Sequence, residues 1–344
     1  MNTDIHIQIK TEYERRKKAA HDKLISREQE VYAKIPQIEE LELEIKRTGI
    51  RYNKMILLGT APSGETVDML VSRLDELKRE KERLLVESGY PADYLEQAYQ
   101  CQRCNDTGFV ENNNTVEKCV CYKQQLLNYL FTQSNLEMTR VENYLSFNED
   151  FYPEAVNEEK YGIRVSPLEN IRYIKQKCFE FLENFSSIEQ RNLFFCGPTG
   201  TGKTFMINCI ANELLNKGVT VLYQTATSLF DVINNHRVKS YKEEGYDDSE
   251  YDYISKVELL IIDDLGTESP SGARYAELLN ILDNRQANNL SRPCKTIIST
   301  NINMKKLYEY YDERVVSRIV GCFDIYRFAG EDIRSLKKFN RKAL

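Results

Sequence analysis

The chain has 344 residues, 29% of them charged, and a mild net charge of -6. That length holds two or three domains of about 150 residues each. No apolar run approaches the ~20 residues of a membrane span, and residues 1–10 lack the apolar core of an export signal. The charge balance excludes an overall basic coat for nucleic acid while leaving room for a local patch. Nine cysteines without an export signal point to reduced thiols and a cytoplasmic setting, with no membrane partner.

Residues 1–98 read as an α-helical coiled-coil hairpin. Leu24, Val31, Ile38, Ile45 and Tyr52 recur every seven positions, and Ile35, Leu41, Met55 and Ile56 supply most of a second apolar row. A second seam follows at Val67, Leu70, Leu74, Leu77 and Leu84, after a Pro- and Gly-containing break at 59–65. Pro36 is expected to bend or restart the first rod. Such a hairpin serves either as a solvated spacer or as a partner-docking module, because an internal seam and an intermolecular one share the same pattern.

Residues 99–124 hold four cysteines in a polar, turn-like setting. Cys101 and Cys104 are separated by two residues, and Cys119 and Cys121 by one, with residues 105–118 between the pairs. Four thiolates so spaced suit a tetrahedral zinc site with no open position, hence a structural one. A redox pair or idle thiols are the competing readings. Residues 125–160 look like a connector, with a short helical stretch at 124–135 and an aromatic- and acid-rich extended part from 143 on.

From 161 to 344 short β-branched or aromatic runs alternate with helical stretches. Runs at 192–196, 219–223, 259–262 and 296–299, with a fifth at 322–328, predict an α/β parallel sheet sandwiched by helices. Gly197, Pro198, Thr199, Gly200, Thr201, Gly202, Lys203 and Thr204 complete G-x-x-x-x-G-K-[ST] between the first strand and a helix. Backbone N–H groups there cradle phosphates, Lys203 reaches the outer ones, and the Thr204 hydroxyl ligates Mg²⁺. The run at 259–262 ends in Asp263 and Asp264; Asp263 is expected to orient Mg²⁺ and Asp264 to polarise the attacking water. Ligand groups in open parallel sheets gather at these C-terminal strand ends. Asn301, closing the next strand, could orient the same water or be a simple turn residue. Arg314 and Arg318 share one helical face, and Arg334 follows; surface arginines are common, so by spacing alone each reads as a salt-bridge partner ahead of a catalytic group. Arg237, Lys239, Tyr241 and Lys242 interleave basic and aromatic side chains, a composition that suits single-stranded DNA or a solvated helix.

Taken together, these residues resemble the replicative helicase loaders of the DnaC/DnaI type within the AAA+ P-loop ATPases. The resemblance covers about 101–334. It rests on the four cysteines, the 147–152 connector with Ser166-Pro167, the phosphate loop, Asp263-Asp264-Leu265-Gly266, Ser299-Thr300-Asn301, Glu313-Arg314 with Ser317-Arg318, and Gly330-Glu331-Asp332 with Arg334. It implies an AAA+ domain over 161–344 with a minimal or missing lid, and ATP, Mg²⁺ and Zn²⁺ as cofactors. It implies Asn301 as a sensor of the γ-phosphate and Arg334 as a second sensor. Arg318 would be the finger that reaches a neighbouring subunit's ATP, which requires self-association. A replicative helicase and single-stranded DNA are the implied partners. Transposition helper ATPases of the IstB type are similar in the core and form the alternative; they typically lack the four-cysteine module.

Overall fold

The computed structural model describes residues 2–58, 66–112, 115–130, 142–242, 249–267 and 272–340. Within these, only the backbone is described at 2–4, 58, 112, 130, 237–242, 249–250, 272–274 and 337–340. The chain forms two compact units, Met1–Cys119 and Val120–Leu344. No helix among the described residues is long and apolar enough to cross a membrane.

In the first unit, α1 (Asn2–Lys34) stops at Ile35 and α2 (Pro36–Leu58) restarts on the proline. At the first helical position proline loses no hydrogen bond, so the interruption expected at Pro36 is a clean restart. The turn expected at 59–65 lies outside the described residues. Helix α3 (Val67–Glu87) begins at Thr66, whose hydroxyl accepts the Met69 N–H at 3.3 Å. Val31, Ile38 and Leu85 are buried together with Leu95. Lys81 pairs with Glu42 at 3.1 Å and Arg73 with Glu44 at 2.6 Å, so α3 runs antiparallel to α2.

The seven-residue seam is followed only in part. Val31, Ile38, Leu70 and Leu77 are buried, whereas Ile56 is exposed and Leu85 rather than Leu84 turns fully inward. A straight helix drifts against a seven-residue repeat, so the buried stripe slides onto the neighbouring position. Beyond α3, the hydroxyls of Tyr90 and Tyr94 donate to the two carboxylate oxygens of Glu30 at 2.9 and 3.1 Å. Strands β1 (Phe109–Asn112) and β2 (Thr115–Lys118) then form an antiparallel hairpin.

The second unit opens with α4 (Val120–Leu130). The aromatic segment expected to be extended is instead folded into two 3-10 turns, Tyr144–Ser146 and Glu149–Phe151, and the short α5 (Glu158–Tyr161). Three asparagines account for the difference: Asn143, Asn148 and Asn157 each accept a following backbone N–H and so start each turn. Helix α6 (Pro167–Glu183) follows, capped by the Ser166 hydroxyl.

The sheet comes next: β3 (Asn192–Cys196), α7 (Lys203–Asn216), β4 (Val221–Thr225), α8 (Ala226–Lys242) and α9 (Ser249–Lys256). Then come β5 (Leu259–Leu265), α10 (Gly272–Asn288), β6 (Lys295–Thr300), α11 (Met304–Tyr310), α12 (Glu313–Cys322), β7 (Phe323–Arg327) and α13 (Ile333–Asn340). All five strands are parallel, in the order β4-β5-β6-β3-β7. β4 begins two residues after the expected run, because the Val219 N–H closes α7 on the Leu214 carbonyl and the Thr220 N–H donates to Glu258 at 2.8 Å.

Alternation along the strands builds two cores. Phe194, Leu222, Leu260, Ile262 and Ile298 pack under α8, α9, α10 and α12. Leu193, Phe195, Tyr223, Ile261 and Ile297 face α6 and α7. With both faces covered, the strands are buried runs as parallel sheets require. The order also sets β5, β6 and β3 side by side, so the loops leaving their C-terminal ends converge.

Candidate nucleotide site and cysteine cluster

The loop at 197–204 leaves β3 and enters α7 at Lys203. Two of its glycines have no substitute. Gly200 has φ +80° and a Cβ there would collide with the Asp332 carboxylate; Gly202 has φ +94° and a Cβ would meet the Tyr152 hydroxyl. The loop is clasped from both sides: Tyr152 donates to the Thr201 carbonyl at 3.1 Å, and the Ile333 N–H to the Gly200 carbonyl at 3.0 Å.

Lys203 is buried, and its ammonium donates to the Gly197 and Pro198 carbonyls at 2.8 Å each and to Asn301 Oδ1 at 2.7 Å. Burial pushes its pKa down to about 8, against the pull of Asp264 and Asp263. Thr204 Oγ1 lies 3.2 Å from Asp263 Oδ2, across α7 and β5. That same carboxylate accepts from the hydroxyls of Tyr223 and Ser299.

Asp264 follows at a register break of β5 against β6, with φ +56°. Aspartate tolerates this left-handed conformation better than most residues. The turn lets Asp264 join the site, where it accepts from Asn301 Nδ2 at 3.1 Å. Burial, and then the Asp263 charge, raise the Asp264 pKa, while Lys203, Asn301 and Arg334 hold it back. A pocket over the loop is lined by Lys203, Thr204, Asp264, Asn301 and Arg334, and on its other side by Phe147 and Tyr152.

Five of the side chains singled out from sequence thus meet at one place, and Arg334 borders the same pocket. Arg318 does not. It pairs with Asp283 at 2.6 Å and Gln286 at 3.1 Å on the face of α10 and α12, in a separate depression that also contains Arg314. Arg237, Lys239, Tyr241 and Lys242 fall on α8, whose side chains there lie outside the described residues. Sequence reasoning assigned no role to Tyr152, Ser299 and Asp332, although they fall in segments that carry the resemblance, and it passed over Tyr223. Tyr223 carried one signal, a lone phenol in an otherwise aliphatic strand start.

The thiols of Cys101, Cys104, Cys119 and Cys121 all lie within 4.8 Å of one another. Cys101 and Cys119 are 3.9 Å apart, close to the ~3.8 Å edge of a tetrahedron with 2.3 Å zinc–sulfur bonds. Asn105 (φ +48°), Asp106 (φ +53°) and Gly108 (φ +79°) curl the chain between the cysteine pairs. The buried Asp106 carboxylate accepts the N–H groups of Gln100 and Cys101 at 2.8 and 2.9 Å, and the Gly108 N–H points at Cys104 Sγ at 3.4 Å. The donor set and its spacing fit a zinc ion.

Parts of the chain are similar to known proteins. The replicative helicase loader DnaC of Escherichia coli (strain K12) is 28% identical over 144 residues, 42% of this chain and 55% of that one. A protein of insertion sequence IS232 from Bacillus thuringiensis subsp. berliner, named for ATP binding, is 24% identical over 199 residues, covering 56% of this chain and 73% of that one. The chain spans about half the length of the DnaC relatives it matches. Among solved structures, a DnaI crystal structure aligns with a TM-score of 0.38 and 26% identity, over 47% of this chain and 82% of that one. A DnaC helicase loader structure aligns with a TM-score of 0.39 and 23% identity, over 46% and 89%. Residues 117–321 match the family described as IstB-like ATP binding protein. That match spans more than half of the chain, and the protein belongs to the IstB-like ATP-binding family.

Proposed function

We propose that this protein is an ATP-hydrolysing helicase loader that places a replicative ring helicase on single-stranded DNA. The observation that carries the ATPase part is the pair of hydrogen-bonded links, Thr204–Asp263 and Lys203–Asn301–Asp264, at the mouth of the phosphate loop. In this reading the loop from Gly197 to Thr204 cradles the triphosphate, and Lys203 turns from its loop carbonyls to the outer phosphates. Thr204 and Asp263 would hold Mg²⁺, which neutralises the charge that develops on the phosphates. Asp264 and Asn301 orient the attacking water, and Arg334 faces the γ-phosphate. Arg318, turned away from this chain's own loop, serves a second copy's nucleotide on self-association.

The loader part rests on the DnaC relatives and on the cysteine cluster. The proposed division is a helical hairpin at 1–98 that docks on the helicase, a structural zinc module at 99–124, a connector at 125–160 and the ATPase domain at 161–344. Single-stranded DNA would lie along Arg237, Lys239, Tyr241 and Lys242. Co-purification with the replicative helicase, with and without ATP, tests the proposal: helicase retained by the full chain supports it, and helicase that ignores the chain in both states overturns it.

One observation favours a second reading. The IS232 relative matches a larger share of this chain than DnaC does. A transposition helper would prefer double-stranded over single-stranded DNA and would bind a transposase in place of a helicase.

A further inference from the structure

Both oxygens of the Asp263 carboxylate accept hydrogen bonds from hydroxyls that lie outside the phosphate-loop motif. The phenol of Tyr223 on β4 donates to Oδ2, and the hydroxyl of Ser299 on β6 donates to Oδ1. Asp263 sits on β5 between these two strands, so it is gripped from either side of the sheet. Both residues are fully buried, at 0% exposure.

The register explains how they reach. Tyr223 lies opposite Ile261 and Thr225 opposite Asp263, so the tyrosine stands two residues back on the same face of the sheet. Only a side chain as long as tyrosine's spans that step and ends in a donor. Its ring packs in the core with Phe195, Ile207 and Ile261, a setting phenylalanine would fill equally well. A buried hydroxyl without a partner is costly there, and its recorded partner is Asp263. Ser299 acts on two groups: besides its bond to Asp263, its oxygen accepts the Asp264 N–H at 3.0 Å. It therefore fixes the first carboxylate and the backbone turn that presents the second.

We propose that Tyr223 and Ser299 are positioning residues for the divalent cation: they lock the Asp263 carboxylate in the one orientation that meets a cation held at Thr204. The inference rests on the reading of Asp263 as a Mg²⁺-holding residue. Hydroxyls that only satisfied a buried carboxylate would affect folding without touching cation dependence, and this difference is measurable.

The test uses the full chain with Tyr223→Phe and, separately, Ser299→Ala. Affinity for a fluorescent ATP analogue is titrated against Mg²⁺, then measured again in EDTA, with thermal unfolding recorded alongside. Removing groups that orient a metal ligand typically weakens metal affinity about 10- to 100-fold. The expected result is a half-effective Mg²⁺ concentration raised about tenfold or more in each variant, with affinity in EDTA unchanged. A variant that does not fold leaves the other to decide. Wild-type Mg²⁺ dependence in a folded variant overturns the proposal, as does an equal loss of affinity with and without Mg²⁺. Wild-type protein whose binding ignores Mg²⁺ altogether would instead overturn the nucleotide-site reading itself.

Discussion

The Lys203 ammonium and the Asn301 side-chain oxygen are 2.7 Å apart, which ties the first residue of α7 to the end of β6. The other half of the same amide donates to Asp264 at 3.1 Å, so Asn301 bridges a cation and a carboxylate. Lys203→Ala removes the charge and leaves the loop carbonyls facing one another. A hydrogen bond to a charged group contributes about 1.5–3 kcal/mol. ATP affinity is therefore expected to fall roughly 10- to 150-fold, measured by calorimetry, with the sheet intact by circular dichroism.

The depressed Lys203 pKa gives a pH signature. Burial brings it to about 8 in the free protein, and bound phosphates would raise it again. Below pH 8 the ammonium is already charged and affinity is flat. Above it, binding must take up a proton, so affinity falls as pH rises, by up to about tenfold per unit. Calorimetry in buffers of different ionisation enthalpy would register that proton uptake at pH 9. Affinity unchanged between pH 7 and 9 would contradict it.

Arg318 and Arg334 should separate kinetically. Arg334 borders the loop pocket, whereas Arg318 is held by Asp283 and Gln286 on another face. Arg334→Ala is expected to weaken nucleotide binding by a single chain. Arg318→Ala should leave that binding unaltered and lower turnover only where copies associate, by about 10³-fold if it acts as a finger in trans. Mixing Arg318→Ala with Lys203→Ala protein should restore part of the turnover.

Metal analysis checks the cysteine cluster. One zinc per chain is the expected stoichiometry, lost on Cys104→Ser. Zinc binding contributes on the order of 10–16 kcal/mol in small zinc modules, so chelation should open residues 101–121 to proteolysis while the parallel sheet stays folded.

Arg285 offers a stability prediction away from the site. It is 1% exposed and donates to the Thr296 hydroxyl and the Ile254 and Lys295 carbonyls at 2.9, 2.8 and 2.6 Å. Burial lowers its pKa to about 10. Arg285→Ala leaves those acceptors unpaired and opens a cavity, for a loss of about 3 kcal/mol in denaturant unfolding.

Much of the α/β unit was legible because it depends on local signals. Short β-branched runs mark buried parallel strands, and the glycine-lysine-threonine spacing fixes the loop, its strand and its helix at once. Asp263 and Asp264 could be placed from the end of their strand. What stayed hidden depends on neighbours distant in sequence. Tyr223 is read as a core residue until β4 is set beside β5, and Ser299 looks like part of a polar strand end until the bulge at Asp264 turns an N–H toward it. Tyr152 sits in a segment that reads as extended; its fold comes from asparagine caps whose geometry no periodicity reports. In the hairpin, the seven-residue spacing named the right helices yet misjudged single positions, because the helical period is not 3.5.

The clasp around the phosphate loop has a mechanical consequence. Ile333 is bonded to the loop at Gly200, while its neighbour Glu331 holds Lys160 and the Tyr161 hydroxyl of α5. Arg334 thus follows directly on a short segment pinned at two points, to the phosphate loop and to α5. A ligand that drew its guanidinium inward would tug α5 in the same stroke, and strain at α5 would loosen the grip on the ligand.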